Sequence, residues 1–417
     1  MSAVLEQARL SLEEMQQSEE ALLLSTYERY PVLLERGEGV HLFDTEGRRY
    51  LDFLSGIGVN ALGYGHPSIQ TVLLEQAAKL VHCSNLFFHE YQAKLAGLLT
   101  QASGLEKAFL CNSGTEAWEC ALKLARAYAR SENTRKSRLL VMEDSFHGRT
   151  MGSLATTGQK KYRAPFAPLM PGVTFVSFND VAQLRARFDD SVCAIGLETI
   201  QGEGGVRPVS QEFLAAACEL TEKSGALLLL DEIQCGLGRT GRYFAYQHYG
   251  IQPDVVTVAK PLAAGLPLGA VLTTSKVAGA FRPGMHGTTF GGGPLSCAVG
   301  CAFMEALTPE LLEHVNEVGC YFAQELRRLQ QSHACVVDVR GAGLMIAAEL
   351  DSGELAKQVV RQVLEAGIVI NRTHDTTLRF LPPYIVDRNH VDELIAVLDL
   401  LLPQQASAQA SRKKGKK

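Results

Sequence analysis

Two charged residues each end a short run of aliphatic residues, and their side-chain types suggest a specific chemistry. Asp231 follows four leucines at 227–230, and Lys260 follows Val-Val-Thr-Val-Ala at 255–259. Such runs are typical of central strands in a parallel sheet, and ligands bind at the carboxyl ends of those strands. We therefore expect both side chains to reach one crevice. An acid that holds a protonated pyridine nitrogen and a lysine that forms a Schiff base are the groups that pyridoxal phosphate requires.

A turn of small residues follows a predicted strand at 108–111. Ser113, Gly114 and Thr115 stand at the start of a predicted helix whose apolar positions fall on one face. The free N–H groups and the dipole at a helix N-terminus favour a bound anion such as a phosphate. Taken alone, the same residues are an ordinary helix cap. Phosphate binding becomes the better interpretation if this helix starts beside the crevice of Asp231 and Lys260.

The loop at 145–150 follows another apolar run and offers an aromatic ring and a guanidinium group. Phe146 has a ring that can stack on a planar cofactor, and Arg149 can hold a carboxylate with two hydrogen bonds. By themselves these residues equally fit a surface turn with a solvated arginine. A single His147 in such a loop is more often structural than catalytic.

Three further features are weak when each is taken alone. The loop at 198–205 is rich in glycine and contains Glu198 and Glu203, but nothing in the sequence supports the sugar site that two such carboxylates can serve. The loop at 286–293 is rich in glycine and hydroxyl groups, and a linker is its simplest interpretation. Arg379 stands near the end of a predicted strand, where an arginine is usually a surface charge.

These residues need a scaffold that brings strand ends together. Between 66 and 305, apolar runs alternate with loops and helices, which predicts a large α/β domain with a mostly parallel sheet and helices on both faces. The predicted strands of this domain are 108–111, 139–142, 173–176, 193–197, 226–230, 255–259 and 268–273.

The segments on either side of this domain have different patterns of apolar and polar residues. Residues 1–65 are expected to form a partly helical extension and a hairpin at 40–53, both packing with a smaller domain. The pattern at residues 306–403 predicts the smaller α+β domain. Residues 404–417 are expected to form a basic, disordered tail. The predicted elements of the smaller domain are helices near 309–331 and 352–366 and strands at 335–339, 344–350, 368–370 and 377–381.

Composition excludes several classes of protein. With 46% hydrophobic and 20% charged residues, the chain is typical of a globular protein. A formal net charge of −5 argues against a nucleic-acid binder. Ten scattered cysteines without a C-x-x-C pattern fit reduced thiols and no metal site. The sequence shows neither a signal peptide nor an apolar run long enough for a membrane span, so we expect a cytoplasmic protein without membrane contacts.

Taken together, the motifs resemble those of the class III, or omega, aminotransferases, a family of pyridoxal-phosphate enzymes of fold type I. The resemblance extends from about residue 26 to 402 and rests on motifs that occur in the family's order. They are Asn-Ser-Gly-Thr-Glu-Ala at 112–117, Phe-His-Gly-Arg-Thr at 146–150, Gln-Gly-Glu-Gly-Gly at 201–205, Asp-Glu-Ile-Gln at 231–234, Lys260, and His-Gly-Thr-Thr-Phe-Gly-Gly at 286–292.

The resemblance implies a cofactor role for several residues. Lys260 is implied to be the Schiff-base lysine and proton shuttle, and Asp231 to hold the pyridinium nitrogen. Thr289 is implied to reach the phosphate of a neighbouring subunit, so a homodimer with shared sites is expected. The other implied cofactor contacts are a phosphate site at Ser113, Gly114 and Thr115, ring stacking by Phe146, and a contact near the ring hydroxyl by Gln234.

The resemblance also implies substrates, an amino donor and 2-oxoglutarate. Arg149 is implied to bind a substrate carboxylate and Thr288 to lie near the substrate. Arg379 would take the second carboxylate of 2-oxoglutarate, and Glu203 would mask Arg379 while the donor is bound. The segment 56–63 resembles the branch that uses N-acetylornithine in arginine biosynthesis, since free-ornithine enzymes typically have a tyrosine where Ile57 stands. Donors of sister enzymes, namely free ornithine, succinylornithine, 4-aminobutyrate and N-succinyl-diaminopimelate, stay open as alternatives.

Four positions depart from the family pattern, namely Trp118, Thr199, Pro261 and Gly293. Trp118 and Gly293 stand where asparagine is usual, and none of the four is a residue implied in bond-making. Two other classes of protein are less well supported by the sequence. A nicotinamide dehydrogenase would need G-x-G-x-x-G after the first strand of the sheet, and the sequence at 111–116 does not supply it. A non-catalytic cofactor binder would not need the intact Lys260 and Asp231.

Overall fold

The computed structural model describes residues 10–132 and 135–404. The predicted basic tail, 404–417, lies outside the described residues apart from Gln404, and so do residues 1–9 of the N-terminal extension. Within the described ranges the strands are β1 (Leu34–Glu38), β2 (His41–Asp44), β3 (Arg49–Asp52), β4 (Lys107–Cys111), β5 (Arg138–Met142), β6 (Val173–Val176), β7 (Val192–Glu198), β8 (Ile200–Gln201), β9 (Arg207–Pro208), β10 (Leu227–Asp231), β11 (Val255–Val258), β12 (Gly269–Thr273), β13 (Val336–Ala342), β14 (Met345–Leu350), β15 (Ile368–Val369), β16 (Asn371–Thr373) and β17 (Thr377–Phe380).

Seven strands form the central sheet in the order β4-β12-β11-β10-β7-β5-β6. β10 is parallel to both of its neighbours, whereas β12 is antiparallel to β11 and β4. Every residue of β7, β10, β11 and β12 is buried. Such strands are covered on both faces, which is why they are continuous aliphatic runs. The predicted large α/β sheet is therefore confirmed, and its parallel strands end at one edge.

Helices cover both faces of this sheet. The best example is Gly114–Ser131, which begins at Ser113, where the serine hydroxyl accepts a hydrogen bond from the Glu116 N–H. Its buried stripe packs against β11 and β12. The α-helices of the described chain are Leu12–Leu22, Ser55–Gly58, Pro67–Lys79, Glu90–Ser103, Gly114–Ser131, Met151–Thr156, Lys160–Arg163, Val181–Arg187, Gln211–Ser224, Ser275–Ala278, Pro294–Ala306, Pro309–Ser332, Gly353–Glu365 and Arg388–Leu401.

Two four-stranded sheets are built from the N-terminal and C-terminal parts of the described chain. β13, β14, β17 and β16 form an antiparallel sheet in that order. β1, β2 and β3 form the predicted hairpin region, and β15 joins this sheet parallel to β3. The strand expected at 368–370 is present as β15, which pairs with the N-terminal sheet. β16, at Asn371–Thr373, was not predicted and pairs with the C-terminal sheet. The contact between residues 49–52 and 368–369 fits the expectation that the N-terminal segment packs with the smaller domain, and the domain boundaries stay a prediction.

No single helix in the described part of the chain is long and apolar enough to cross a membrane. Pro294–Ala306 and Pro309–Ser332 pass a test of length and composition only as a pair, with a bend of 69° between them. All ten cysteines lie within the described ranges, and all are free thiols.

Candidate active site

A cavity of about 450 Å³ lies at the carboxyl ends of the central parallel strands. Asp231 and Lys260 both line it, as their strand-end positions predict. The expected shared crevice is therefore present. The other predicted site residues that line this cavity are Ser113, Gly114, Thr115, Phe146, Arg149, Glu203 and Gln234.

Asp231 is the last residue of β10, and its side chain is held from two directions. One carboxylate oxygen, Oδ2, lies 2.7 Å from His147 Nδ1, and the other accepts a hydrogen bond from the Ile233 N–H at 3.1 Å. Asp231 and His147 are both buried. The sequence favours a structural role for His147, since nothing in it places this residue beside one that is 84 positions away.

Lys260 follows β11 by two residues and begins a short 3-10 helix, Lys260–Ala263. Burial lowers the pKa of the Lys260 amine, Glu203 opposes this shift, and the positive charge of Arg379 adds to it. A lowered pKa increases the neutral fraction of the amine near pH 7. Only the neutral amine can act as a nucleophile or base, so the shift favours both functions.

The turn at Ser113, Gly114 and Thr115 forms a small cradle at the start of its helix. The N–H groups of a first helical turn have no partner within the helix. A Cβ atom at Gly114 would lie 2.8 Å from Ile233 Cδ1, so a larger residue would collide with the loop after Asp231. The cradle opens onto the same cavity as Lys260. The condition set by the sequence for an anion site is therefore met.

Glu198 is a second residue that sequence analysis missed. It is buried at the end of β7 and lines the cavity. Its two oxygens accept hydrogen bonds from the backbone N–H groups of Phe146 at 3.1 Å and Gly202 at 3.0 Å. Burial, followed by the nearby charge of Asp231, raises the pKa of Glu198 to about 8. Glu198 thus links the loop of Phe146 to the loop of Glu203.

Arg149 lies on the exposed side of the cavity. The carbon Cζ of its guanidinium lies 3.9 Å from the ring centroid of Tyr162 and 5.5 Å from that of Phe146. A cation at these distances is attracted by the faces of aromatic rings. The rings therefore hold the guanidinium at the mouth of the cavity.

Arg379, on β17, is only 1% exposed and forms an ion pair with Glu203. The same nitrogen, Nη1, donates a hydrogen bond to Gln234 Oε1 at 3.1 Å, and Nε donates to Asn371 Oδ1 at 3.2 Å. Burial alone would raise the pKa of Glu203, but Arg379 and then Lys260 outweigh it and lower the pKa to about 2. Glu203 is therefore ionised and paired near pH 7. Gln234, expected near a cofactor hydroxyl, here contacts the ion pair.

Four predicted site residues are not among those that line this cavity, and one of them, Arg379, reaches it only through its ion pair with the lining residue Glu203. The other three lie elsewhere. Thr288 accepts a hydrogen bond from Asn112 Nδ2 at 2.9 Å, next to the cradle. Thr289 is exposed and lies in a separate surface groove. Ile57 is 39% exposed, has a φ of 66°, and lines a neighbouring cavity of about 630 Å³ that shares Glu203 with the first. Ile57 is therefore placed beyond Glu203, outside the Lys260 cavity.

The combination of a strand-end lysine, a strand-end acid and a helix N-terminus on one cavity can be compared with known proteins. The profile of the class-III aminotransferase family matches residues 24–402. The chain belongs to the class-III aminotransferases. An acetylornithine aminotransferase of Caldanaerobacter subterraneus is 44% identical over 388 residues, which cover 93% of this chain and 98% of that protein.

Solved structures of aminotransferases share the fold. An ornithine aminotransferase from Toxoplasma gondii superposes with a TM-score of 0.90 at 30% identity, covering 94% of this chain and 95% of the other. An acetylornithine aminotransferase from Elizabethkingia anophelis gives a TM-score of 0.84 at 30% identity, covering 94% and 99%. Fold type I is confirmed, and the chain is a pyridoxal-phosphate-dependent transaminase.

The residues present fit this cofactor. The cradle at the start of the Gly114 helix suits a phosphate. Asp231 is a buried carboxylate that suits a protonated ring nitrogen. Among the described residues, Lys260 is the one lysine that lines the cavity. Gly114 is consistent with the same use, since the room that a side chain would need is taken by Ile233.

Proposed function

We propose that this aminotransferase moves the terminal amino group of N2-acetyl-L-ornithine to 2-oxoglutarate, giving N-acetylglutamate semialdehyde and glutamate. The observation that carries the proposal is the ion pair of Glu203 with Arg379 beside Lys260. When Glu203 moves away, the guanidinium of Arg379 is free to bind the second carboxylate of a dicarboxylate. When Glu203 stays paired, Arg379 is not available to a donor that has one carboxylate. The acetylornithine aminotransferases among the relatives support this donor.

The chemistry divides between the cofactor and the protein. Pyridoxal phosphate, when bound, supplies an electron sink for the carbon that loses a proton. Asp231 would stabilise the proton on the ring nitrogen, the N–H groups of the Gly114 turn would bind the phosphate, and Phe146 would supply an aromatic face for the ring. Lys260 would remove the proton from the substrate carbon and later donate it to a second carbon nearby. The amine must be neutral to accept a proton, and its lowered pKa favours that form.

Two arginines hold the two carboxylates of the acceptor, and only one of them, Arg379, is masked by Glu203 while the donor is bound. Arg149, at the cavity mouth, binds the carboxylate that lies next to the reacting carbon of 2-oxoglutarate. Arg379 binds the second carboxylate once Glu203 turns away from it. With a donor bound, Glu203 returns and the guanidinium is neutralised within the pair. A charge-assisted hydrogen bond between carboxylate and guanidinium is strong in either state.

Glu203→Ala should slow the donor half-reaction by about tenfold while leaving the half-reaction with 2-oxoglutarate within about threefold of normal. The reason is that an unmasked Arg379 competes for the donor carboxylate. Single-turnover absorbance measurements with each substrate separate the two steps. Glu219→Ala, which breaks an exposed pair with Arg185, is the matched control and should change neither. Equal slowing of both half-reactions by Glu203→Ala would contradict the masking role.

The donor preference follows from Ile57. Ile57 lines the neighbouring cavity, which shares Glu203 with the Lys260 cavity, and offers an aliphatic wall without a hydroxyl group. A charged α-amino group packed against that wall would lose hydration without gaining a partner from the Ile57 side chain. Acetylation removes that charge. We expect kcat/KM for N-acetylornithine to exceed that for free ornithine by at least about tenfold, or about 1.4 kcal/mol. A panel of amino donors with 2-oxoglutarate, followed by glutamate formation, measures it.

Free ornithine is the main alternative donor, because a structure that superposes closely is an ornithine aminotransferase. Ile57→Tyr supplies the hydroxyl group that the acetylornithine-type wall lacks and should raise the relative activity on ornithine. Equal kcat/KM values for the two donors in the unmutated protein would refute the acetylornithine proposal, while glutamate formation from either would leave the aminotransferase chemistry standing.

We further propose a homodimer in which Thr289 completes the partner's phosphate site. Thr289 is exposed and directed to a groove outside its own cavity. Around it, the loop is held by Asn85, which donates to the carbonyl groups of Thr288 and Gly291. Exposed apolar side chains surround this region, as expected of a surface that a second subunit covers. They are Val81, Leu86, Phe87, Phe88 and Phe290.

Mixing two inactive variants tests the shared site. Lys260→Ala chains and Thr289→Ala chains are each expected to be impaired. A heterodimer of the two contains one site with both native residues, so mixing should restore about a quarter to a half of normal activity per heterodimer. Native mass spectrometry verifies subunit exchange. Absence of recovery despite exchange would show that Thr289 serves its own subunit.

The proposal also places the enzyme in the cytoplasm, where the ten free thiols would stay reduced. Fractionation of source cells with detection by antibody checks this, and recovery in a membrane or extracellular fraction would contradict it.

A further inference from the structure

Trp118, the only tryptophan of the chain, lies in the first turns of the helix that follows the phosphate cradle. It is completely buried, and its Nε1 donates a hydrogen bond to Thr156 Oγ1 at 2.8 Å. Its indole stacks on the imidazole of His147, with ring centroids 4.0 Å apart and planes 11° apart. This stack fills the position where the family pattern has asparagine.

The imidazole of His147 has one hydrogen bond, whereas the backbone N–H of the residue donates to Thr157 Oγ1. Its Nδ1 is bonded to Asp231, and an ionised aspartate only accepts, so Nδ1 is the donor. The other nitrogen, Nε2, is buried and has no hydrogen-bond partner among the described residues. A single hydrogen bond fixes one ring atom and does not by itself set the plane of the ring. The indole face, parallel to the imidazole, restricts rotation of the ring.

The surroundings of Trp118 are shaped to keep the indole in this place. Gly196, in β7, faces it so closely that a Cβ atom there would lie 3.0 Å from Trp118 Cη2. Thr156 fixes the opposite edge of the indole through its hydroxyl group. Gly196 leaves room for the indole, and Thr156 satisfies its N–H group. Close packing of this kind holds the side chain in one rotamer.

We propose that Trp118 is a positioning residue that acts on Asp231 through His147. The indole holds the imidazole in the plane in which Nδ1 donates to Asp231 Oδ2, and this fixes the carboxylate with its remaining acceptor capacity toward the cavity. A carboxylate held in this way binds a cationic ring nitrogen without first reorganising. The inference rests on the proposed contact of Asp231 with the cofactor nitrogen.

The test compares Trp118→Leu, which removes the stacking ring, with Trp118→Phe, which keeps one. Trp118→Leu should bind pyridoxal phosphate about tenfold more weakly and lose about tenfold in kcat with little change in KM, whereas Trp118→Phe stays within about threefold. Cofactor affinity is read from the visible absorbance of the bound cofactor after equilibrium dialysis. This readout does not depend on the amino donor, so a wrong donor proposal leaves it intact.

A double-mutant cycle separates positioning from packing. His147→Phe keeps a ring for the indole to stack on but has no donor for Asp231. In that background Trp118→Leu should cause no further loss of cofactor affinity, because the path through His147 is already broken. An equally large loss in both backgrounds would overturn the proposal, and so would unchanged affinity and kcat in a folded Trp118→Leu protein.

If Trp118→Leu does not fold, Thr156→Val provides the same comparison. It releases the indole edge without removing a ring, so it should weaken cofactor binding by about threefold in the native background and not at all with His147→Phe. Loss of melting temperature in Thr156→Val without any change in cofactor affinity would overturn the positioning role.

Discussion

Lys260→Ala is expected to yield a folded protein that has lost transamination by at least about a thousandfold, as when the side chain that transfers a proton is removed. Among the described residues no other lysine lines the cavity of Asp231, so no neighbour can replace the amine. The side chain is not part of the apolar core, which favours retention of the fold. Glutamate formation from the donor and 2-oxoglutarate measures the loss.

The matched control is Lys223→Ala. Lys223 is exposed, pairs with Glu219 and lines neither of the two cavities, so its loss should change turnover by less than about threefold. A second experiment locates the covalent bond. Reduction of the unmutated protein with borohydride followed by peptide mapping should find the cofactor on Lys260. Cofactor on any other lysine, or substantial turnover by Lys260→Ala, would show that the assignment is wrong.

Much of the fold was predictable because the strands of this sheet differ from their surroundings in composition. A strand buried on both faces has no polar position, so the runs at 227–230 and 255–258 stand out and end abruptly on charged residues. The order of the strands was not predictable. Antiparallel β12 lies between β4 and β11, and its aliphatic residues carry no information about direction.

The site was predictable where one short segment contains both the residue and the element that positions it. Ser113 caps its own helix, and Asp231 ends its own strand. Contacts between distant segments were missed, as for His147 with Asp231 and for Glu198 with the N–H groups of two loops. Such partners depend on which strands become neighbours, and the sequence of either partner alone does not encode that choice.

A resemblance between sequences does not give the contacts of a residue within its own site. The resemblance implies that Gln234 lies near the cofactor; in the structure it lines the Lys260 cavity, accepts a hydrogen bond from Arg379 and extends the ion pair with Glu203. Gly202 leaves the room for this contact, since a Cβ atom there would lie 2.2 Å from Gln234 Oε1. Gln234 therefore links the ion pair of Glu203 and Arg379 to the loop that follows Asp231.

Asp231→Asn should lower kcat by about a hundredfold or more, a loss of about 3 kcal/mol, with a much smaller change in KM. The amide is nearly isosteric and keeps an oxygen for the His147 donor at Nδ1. It has no negative charge, however, so it cannot stabilise a proton on the ring nitrogen ionically. The missing charge would matter most in the transition state, and this is why kcat should fall more than substrate binding.

Asp254→Asn is the matched control for this experiment. Asp254 precedes β11 at the other end of the strands and accepts a hydrogen bond from the Leu228 N–H at 2.8 Å. The same acid-to-amide change at that edge should reduce stability and leave kcat within about threefold of normal. Near-normal kcat in Asp231→Asn would refute the role of Asp231. A similar fall in both variants would mean that loss of carboxylate hydrogen bonding, and not the charge beside the ring nitrogen, limits turnover.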